Sequence, residues 1–164
     1  AIINRVQAEG AEVVIWGGYH PEASKLVEQM RSQGMDDVVF VGGDGIKGNA
    51  IVDLIGETSE GVYATGARET GDNPLAAEYT ELHIDEYGSE PGDFFMEAVS
   101  AALALFNAIE VAGSTDYDAV IEALRNSSVQ TPVGEISFDA DGNATGVGFA
   151  VFQVQDGTYV EVAQ

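Results

Sequence analysis

Two residues of unlike chemistry close two similar stretches of this chain. "VVIWGGYHPEA" begins at Val13 and "VVFVGGDGIKG" begins at Val38. Each runs from an apolar segment through Gly-Gly to one side chain with something to offer: Tyr19 in the first, Asp44 in the second. The glycine pairs stand 25 residues apart, and so do the valine pairs. Tyr19 brings an aromatic wall and a hydroxyl; Asp44 brings a negative charge. Together they suit a small molecule with a cationic group and some apolar surface. The plainer alternative is turn chemistry alone, with Tyr19 packing and Asp44 capping a helix.

Other chemistry is poorly served. The chain has no cysteine, which excludes disulfides, thiolate metal sites and thiol catalysis. "DADGNATG" from Asp139 echoes the start of a calcium loop, but the twelfth position is Ala150 where a bidentate glutamate is needed. That stretch reads as a tight turn. His20 and His83 have no second ligand at metal spacing. No nucleophile elbow, phosphate loop or dinucleotide fingerprint occurs, and no cofactor is expected. "GGDG" resembles a phosphate loop only superficially, since Asp44 would repel the anion. Glu57, Glu60, Glu69, Asp85 and Glu86 read as solvated surface.

The elements that must position Tyr19 and Asp44 follow from periodicity. Residues 3–9 read as a helix end closed by Gly10, followed by a buried strand at Val13–Trp16. Pro21 suits a first helical turn. Ala23, Leu26, Val27 and Met30 then form one apolar stripe, with Gly34 as the stop. Val38–Val41 is a second strand, "GNAIVDLIG" a short helix capped by Asn49, and "EGVYATGA" a third strand. Strand, helix, strand, helix, strand predicts a parallel sheet with crossover helices. Twenty-five residues is close to the compact end of such a unit. Both Gly-Gly segments then fall just past the carboxyl ends of neighbouring strands, where open α/β sheets bind ligands.

Downstream the pattern changes. A helix is predicted after Pro74, with Leu75, Tyr79 and Leu82 on one face. "DFFMEAVSAALALFNAIEVAG" is apolar almost all round and predicts a helix buried over most of its surface. A third helix follows, capped by Ser114 or Thr115, with Val120, Ile121 and Leu124 inward. After "TPVG" the period becomes two, with turns at Asp141-Gly142 and Asp156-Gly157.

At 164 residues and 45% hydrophobic composition the chain can bury a core. Six basic against 28 acidic side chains give a net charge of −22. That argues against nucleic acid and against an anionic membrane surface, and suits a solvated face or a saline habitat. The longest apolar stretch, between Ala98 and Phe106, is too short to cross a bilayer, so no direct membrane insertion is expected. The opening "AIINRVQAEGAEVV" reads as a helix tail entering a strand, as in a fragment.

"VVIWGGYHPEASKLVEQMRSQGM", "FVGGDGIKGNAIVDLIGETSEGVYAT" and "EISFDADGNATGVGFAVFQVQDG" closely resemble the periplasmic leucine/isoleucine/valine-binding proteins. These are the solute-binding components of ABC transporters, of the type I periplasmic-binding fold. The resemblance runs along the whole chain in order, with "GGYHPE" and the later "FD-x-x-G" hairpin its most specific pieces. It implies an α/β, Rossmann-like architecture of two hinged lobes, incomplete here because the chain matches the second half only. Residues 1–65 would belong to the C-terminal lobe, 66–148 to the other lobe, and 149–164 to a strand crossing back. It implies a bacterial periplasmic or other extracytoplasmic location, an amino-acid ligand, and two macromolecular partners. These are a membrane permease and the missing N-terminal half, whose Ser, Thr and backbone amide groups hold the ligand carboxylate. Ligand-binding residues carried over by the resemblance are Asp44 for the α-ammonium, Tyr19 packed beside it, and Phe94 against the ligand side chain, with Phe95 the competing neighbour. No catalytic residue is implied. A sensor ectodomain of the same fold and a small α/β enzyme are the alternative readings.

Overall fold

The computed structural model describes residues 2–68 and 73–163. Glu69 therefore lies outside the described residues. In chain order the elements begin with helix α1 (Ile2–Ala8), strand β1 (Val13–Trp16), helix α2 (His20–Ser32) and strand β2 (Val39–Gly42). A 3-10 turn (Asp44–Ile46) leads to α3 (Asn49–Ile55), a second 3-10 turn (Gly56–Ser59) and β3 (Tyr63–Ala67). Next come α4 (Pro74–Tyr87), α5 (Phe95–Ala112) and α6 (Tyr117–Asn126). The chain ends with β4 (Val129–Thr131), β5 (Gly134–Phe138), β6 (Ala144–Thr145), β7 (Phe149–Gln155) and β8 (Thr158–Ala163). Two compact units result: Ala1–Ala67 with Phe149–Gln164, and Arg68–Gly148.

The first unit is built on a five-stranded sheet of order β1-β2-β3-β7-β8. The first three strands are parallel and the last two antiparallel. The parallel sheet expected from the alternation of strands and helices is therefore present. Period-two alternation sends Phe40, Ala64, Phe152 and Val154 to a buried face. The α2 stripe lies in the same core: Ala23, Val27 and Met30 are buried, joined by Ile46 and Ile51. Each large side chain so buried contributes roughly 1.5–3 kcal/mol. Residues of the opposite parity stay in the open. Val13 is 52% exposed, Ile15 83% and Phe149 71%. Parallel sheets are normally covered on both faces.

One detail of the repeat is corrected by the ladder. The sequence repeats at 25 residues, but Val13 pairs with Val39 and Trp16 with Gly42, a step of 26. Gly42 is therefore the last residue of β2 rather than the first beyond it. The turn residues of the second stretch start one position later, at Gly43.

The second unit packs α5 against α6 and the β4–β5 hairpin. Asn73 caps α4 by accepting from the Leu75 amide at 3.0 Å, and donates to the Thr131 and Pro132 carbonyls at 2.9 and 2.8 Å. The expectation for α5 is overturned. Only the small residues Ser100, Ala104 and Ala108 are buried on it, while Phe106 is 62% and Val111 60% exposed. Uniform apolarity marked a helix with several faces to cover, but this unit covers one stripe. By length and composition α5 is apolar enough to cross a membrane, as core helices of globular domains also are. Leu82 of α4 is likewise exposed, with Leu75 and Tyr79 half-buried.

Two caps differ from expectation. Gly48, at φ 159°, precedes α3, and Asn49 is the first helical residue. Asp116 caps α6 by accepting from the Ala119 amide at 3.3 Å, while Ser114 accepts from Asp116. The β7–β8 turn has positive φ at both Asp156 (52°) and Gly157 (77°), the pairing a tight two-residue hairpin needs.

Candidate functional site

The two Gly-Gly loops leave the carboxyl ends of adjacent parallel strands and touch. A Cβ on Gly45 would stand 2.9 Å from the Gly18 carbonyl oxygen and 3.1 Å from the Tyr19 ring. Only glycine allows that approach. A Cβ on Gly18 would stand 2.6 Å from the Trp16 ring. Trp16 also donates its indole N–H to the Tyr19 carbonyl at 3.4 Å. The first loop is thus folded over its own tryptophan, and the second is laid against it.

Both expected side chains of this unit are presented to solvent. Tyr19 is 68% exposed and precedes α2 in extended conformation, making no side-chain cap bond. Asp44 opens the 3-10 turn and is exposed. It caps no α-helix, since Gly48 holds that place before α3. The structure therefore brings Tyr19 and Asp44 to the same sheet end, with an aromatic ring and a carboxylate on loops in contact.

What holds the second loop came less readily from sequence. The Ile46 side chain occupies the place a Gly42 Cβ would take. The Tyr159 phenol of β8 donates to the Ile46 carbonyl at 2.9 Å. The Lys47 stem lies on Gly66, where a Cβ would stand 2.6 Å from its Cδ, and its ammonium sits 4.3 Å from the Phe152 ring centroid. Trp16 had a local signal, as the sole tryptophan beside Gly-Gly. Tyr159, 113 residues from Ile46 in the chain, had none.

Phe94 belongs to the second unit and is described within it. It precedes α5 in the left-handed region, at φ 63° and ψ 7°, and is 48% exposed. A bulky residue there is a backbone outlier, of a kind that clusters at functional sites. Its competitor Phe95 is half-buried and meets the His83 ring edge-on, with centroids 4.8 Å apart at 76°. Phe95 is thus engaged in local packing. The His83 ring also lies 4.8 Å from that of Tyr87, tilted at 47°, and its Nδ1 lies 2.9 Å from the Ser89 carbonyl, which requires the proton on that nitrogen.

The remaining polar features are structural. Asp139 accepts from the Asp141 and Asn143 amides at 2.9 and 2.8 Å and from the Asn143 side chain at 3.0 Å. Those bonds, the Asn143 side chain foremost, hold its carboxyl below the usual range. This is a turn. Among the described residues no cluster of three metal-ligating side chains occurs. A cavity of about 430 Å³ is lined by Arg31, Asp36, Glu57, Thr58 and Glu60. It opens beside the segments that enter β2 and β3, opposite the Gly-Gly loops. Arg31 there is spent on the carbonyls of Met35, Asp36 and Val38, at 2.9, 2.8 and 3.3 Å.

Paired loops at the carboxyl edge of a parallel sheet, carrying an exposed ring and an exposed carboxylate, stand where open α/β sheets bind ligands. A family model described as periplasmic binding protein matches residues 1–158, and the chain belongs to that family. The leucine-, isoleucine-, valine-, threonine- and alanine-binding protein of Pseudomonas aeruginosa is 32% identical over 99% of this chain and 43% of its own length. Leu/Ile/Val-binding protein homolog 2 of Brucella abortus is 34% identical over 96% and 42%. Among solved structures, a leucine-binding protein from Thermotoga maritima superposes with a TM-score of 0.84 at 25% identity, covering 99% of this chain and 47% of that one. A branched-chain amino acid transporter substrate-binding protein from Streptococcus pneumoniae, in complex with isoleucine, gives 0.75 at 22%, over 98% and 48%. The type I fold and the kinship with Leu/Ile/Val-binding proteins are as the sequence implied. The chain spans under half the length of the curated relatives it matches.

Proposed function

We propose that the complete protein is the extracytoplasmic solute-binding component of a bacterial ABC transporter, and that it takes a branched-chain or similar amino acid. The observation that carries this is the contact between the two Gly-Gly loops, which sets Tyr19 beside the Asp44 turn at the carboxyl edge of β1 and β2. Asp44 holds the ligand's α-ammonium. Tyr19 supplies an apolar wall next to it. Phe94 meets the ligand side chain, which gives its left-handed backbone a purpose. Groups that hold the carboxylate come from the protein's other half, outside these residues.

On this reading residues 1–65 and 149–164 serve the C-terminal lobe and 66–148 the other lobe. The ligand favours a closed state of the two lobes over an open one by binding both at once. The permease receives the closed form. The role needs no catalytic group and no cofactor. The kinship to solute-binding proteins supports a binder rather than an enzyme.

Calorimetric titration of the complete protein with leucine, isoleucine, valine, threonine and alanine tests the reading. Micromolar or tighter binding of at least one aliphatic amino acid, without its consumption, is expected. Binding of none, or steady chemical turnover of one, would overturn it.

A further inference from the structure

The turn that carries Asp44 is short and weakly held by its own bonds. It closes through two backbone contacts, Ile46 amide to Gly43 carbonyl at 3.2 Å and Lys47 amide to Asp44 carbonyl at 3.0 Å. Three residues of 3-10 geometry are marginal by themselves. Tyr159 reaches this turn from β8, at the far edge of the sheet order, and donates its phenol proton to the Ile46 carbonyl at 2.9 Å. The ring packs on the same core as Phe40, Ile46 and Val154. A phenol with an ordinary pKa of about 10 is already a donor at neutral pH, and burial pushes this one up further. Ile46 is thus pinned twice, its side chain over Gly42 and its carbonyl by Tyr159.

We propose that Tyr159 is a positioning residue for the ligand, fixing the 3-10 turn so that the Asp44 carboxylate meets the α-ammonium without further ordering. The inference rests on the role proposed above for Asp44. Tyr159 touches no ligand; it acts by reducing the conformations the turn must give up on binding. A single neutral hydrogen bond contributes about 0.5–1.5 kcal/mol, so its loss corresponds to roughly a 2- to 13-fold change in an equilibrium.

Tyr159→Phe in the complete protein keeps the ring and removes only the donor. Leucine affinity is expected to fall about 5- to 10-fold. In an Asp44→Asn background the same change is expected to cost less than twofold, because the turn then has no charge to aim. Amide exchange at Ile46 and Lys47, followed without ligand, should accelerate while the amides of α2 hold steady. An equal loss in both backgrounds would make Tyr159 a general stabiliser and overturn the proposal. Unchanged affinity and unchanged exchange, with Asp44→Asn still damaging, would overturn it and leave the Asp44 reading intact. If Asp44→Asn itself costs nothing, that reading fails and the positioning role falls with it, whatever the exchange rates show.

Discussion

Asp44 is the residue on which the binding proposal turns, and its chemistry gives a selective test. A carboxylate facing an ammonium in a closed, water-poor cleft makes a charge-assisted hydrogen bond, stronger than a neutral one. Truncating one partner of such a pair costs roughly 2–5 kcal/mol, at least about a 30-fold loss of affinity. Asp44→Asn in the complete protein should therefore weaken leucine binding by 30-fold or more. It should leave the weak binding of the deaminated analogue, 4-methylpentanoate, nearly unchanged. Calorimetry can follow both titrations. Equal small losses for the two ligands would return Asp44 to a structural role. The placing of Asp44 and Tyr19 at one sheet end was legible because each sits beside a local Gly-Gly signal. Tyr159 was not: a tyrosine in an alternating strand looks the same whether its hydroxyl meets water or a carbonyl 113 residues away.

At the scale of elements, the strands and crossover helices were readable because burial imposes one period on each of them. Their ends were less so. Asn49 and Ser114 are good capping types, yet Gly48 and Asp116 stand at the ends of α3 and α6, since neighbouring candidates compete and tertiary context chooses. The α5 reading failed for a different reason: composition reports how much of a helix is apolar, not how many neighbours this chain supplies to cover it. The loop contact allows a sharper test of elements. Gly45→Ala places a Cβ 2.9 Å from the Gly18 carbonyl oxygen, a backbone atom that moves only with its loop. Gly43→Ala meets nothing within 4 Å and keeps an ordinary φ of −78°. In the complete protein Gly45→Ala should lower leucine affinity about tenfold or more and reduce the melting temperature by a few degrees, whereas Gly43→Ala should change the melting temperature little. If the two variants behave alike in calorimetry and thermal melts, the loops do not depend on that close approach.

The whole molecule poses a problem that neither residues nor elements answer. In the first unit α2 and α3 serve one face of the sheet, while Val13, Ile15, Val39 and Phe149 lie open on the other. Register joins the first three: Val13 stands opposite Val39, with Ile15 two residues along the same strand, while Phe149 lies apart, opposite Ala67 at the end of β3. Contiguous apolar surface of this kind is a binding face or an aggregation hazard. The chain spans only 43% of its Pseudomonas aeruginosa relative, so a longer protein has residues with which to cover it. A net charge of −22 works in the opposite direction to self-association, because like-charged copies repel until salt screens them. The two effects predict one behaviour. The 164-residue chain alone should bind an apolar fluorescent dye at low salt and remain dispersed. It should then self-associate as sodium chloride rises from about 10 mM to 1 M, where the Debye length falls to about 3 Å. Ile15→Lys should weaken both dye binding and salt-driven association, and the complete protein should show neither. Sedimentation velocity across the salt series gives the answer: a chain that stays monomeric at high salt and binds no dye would mean that this face is already satisfied.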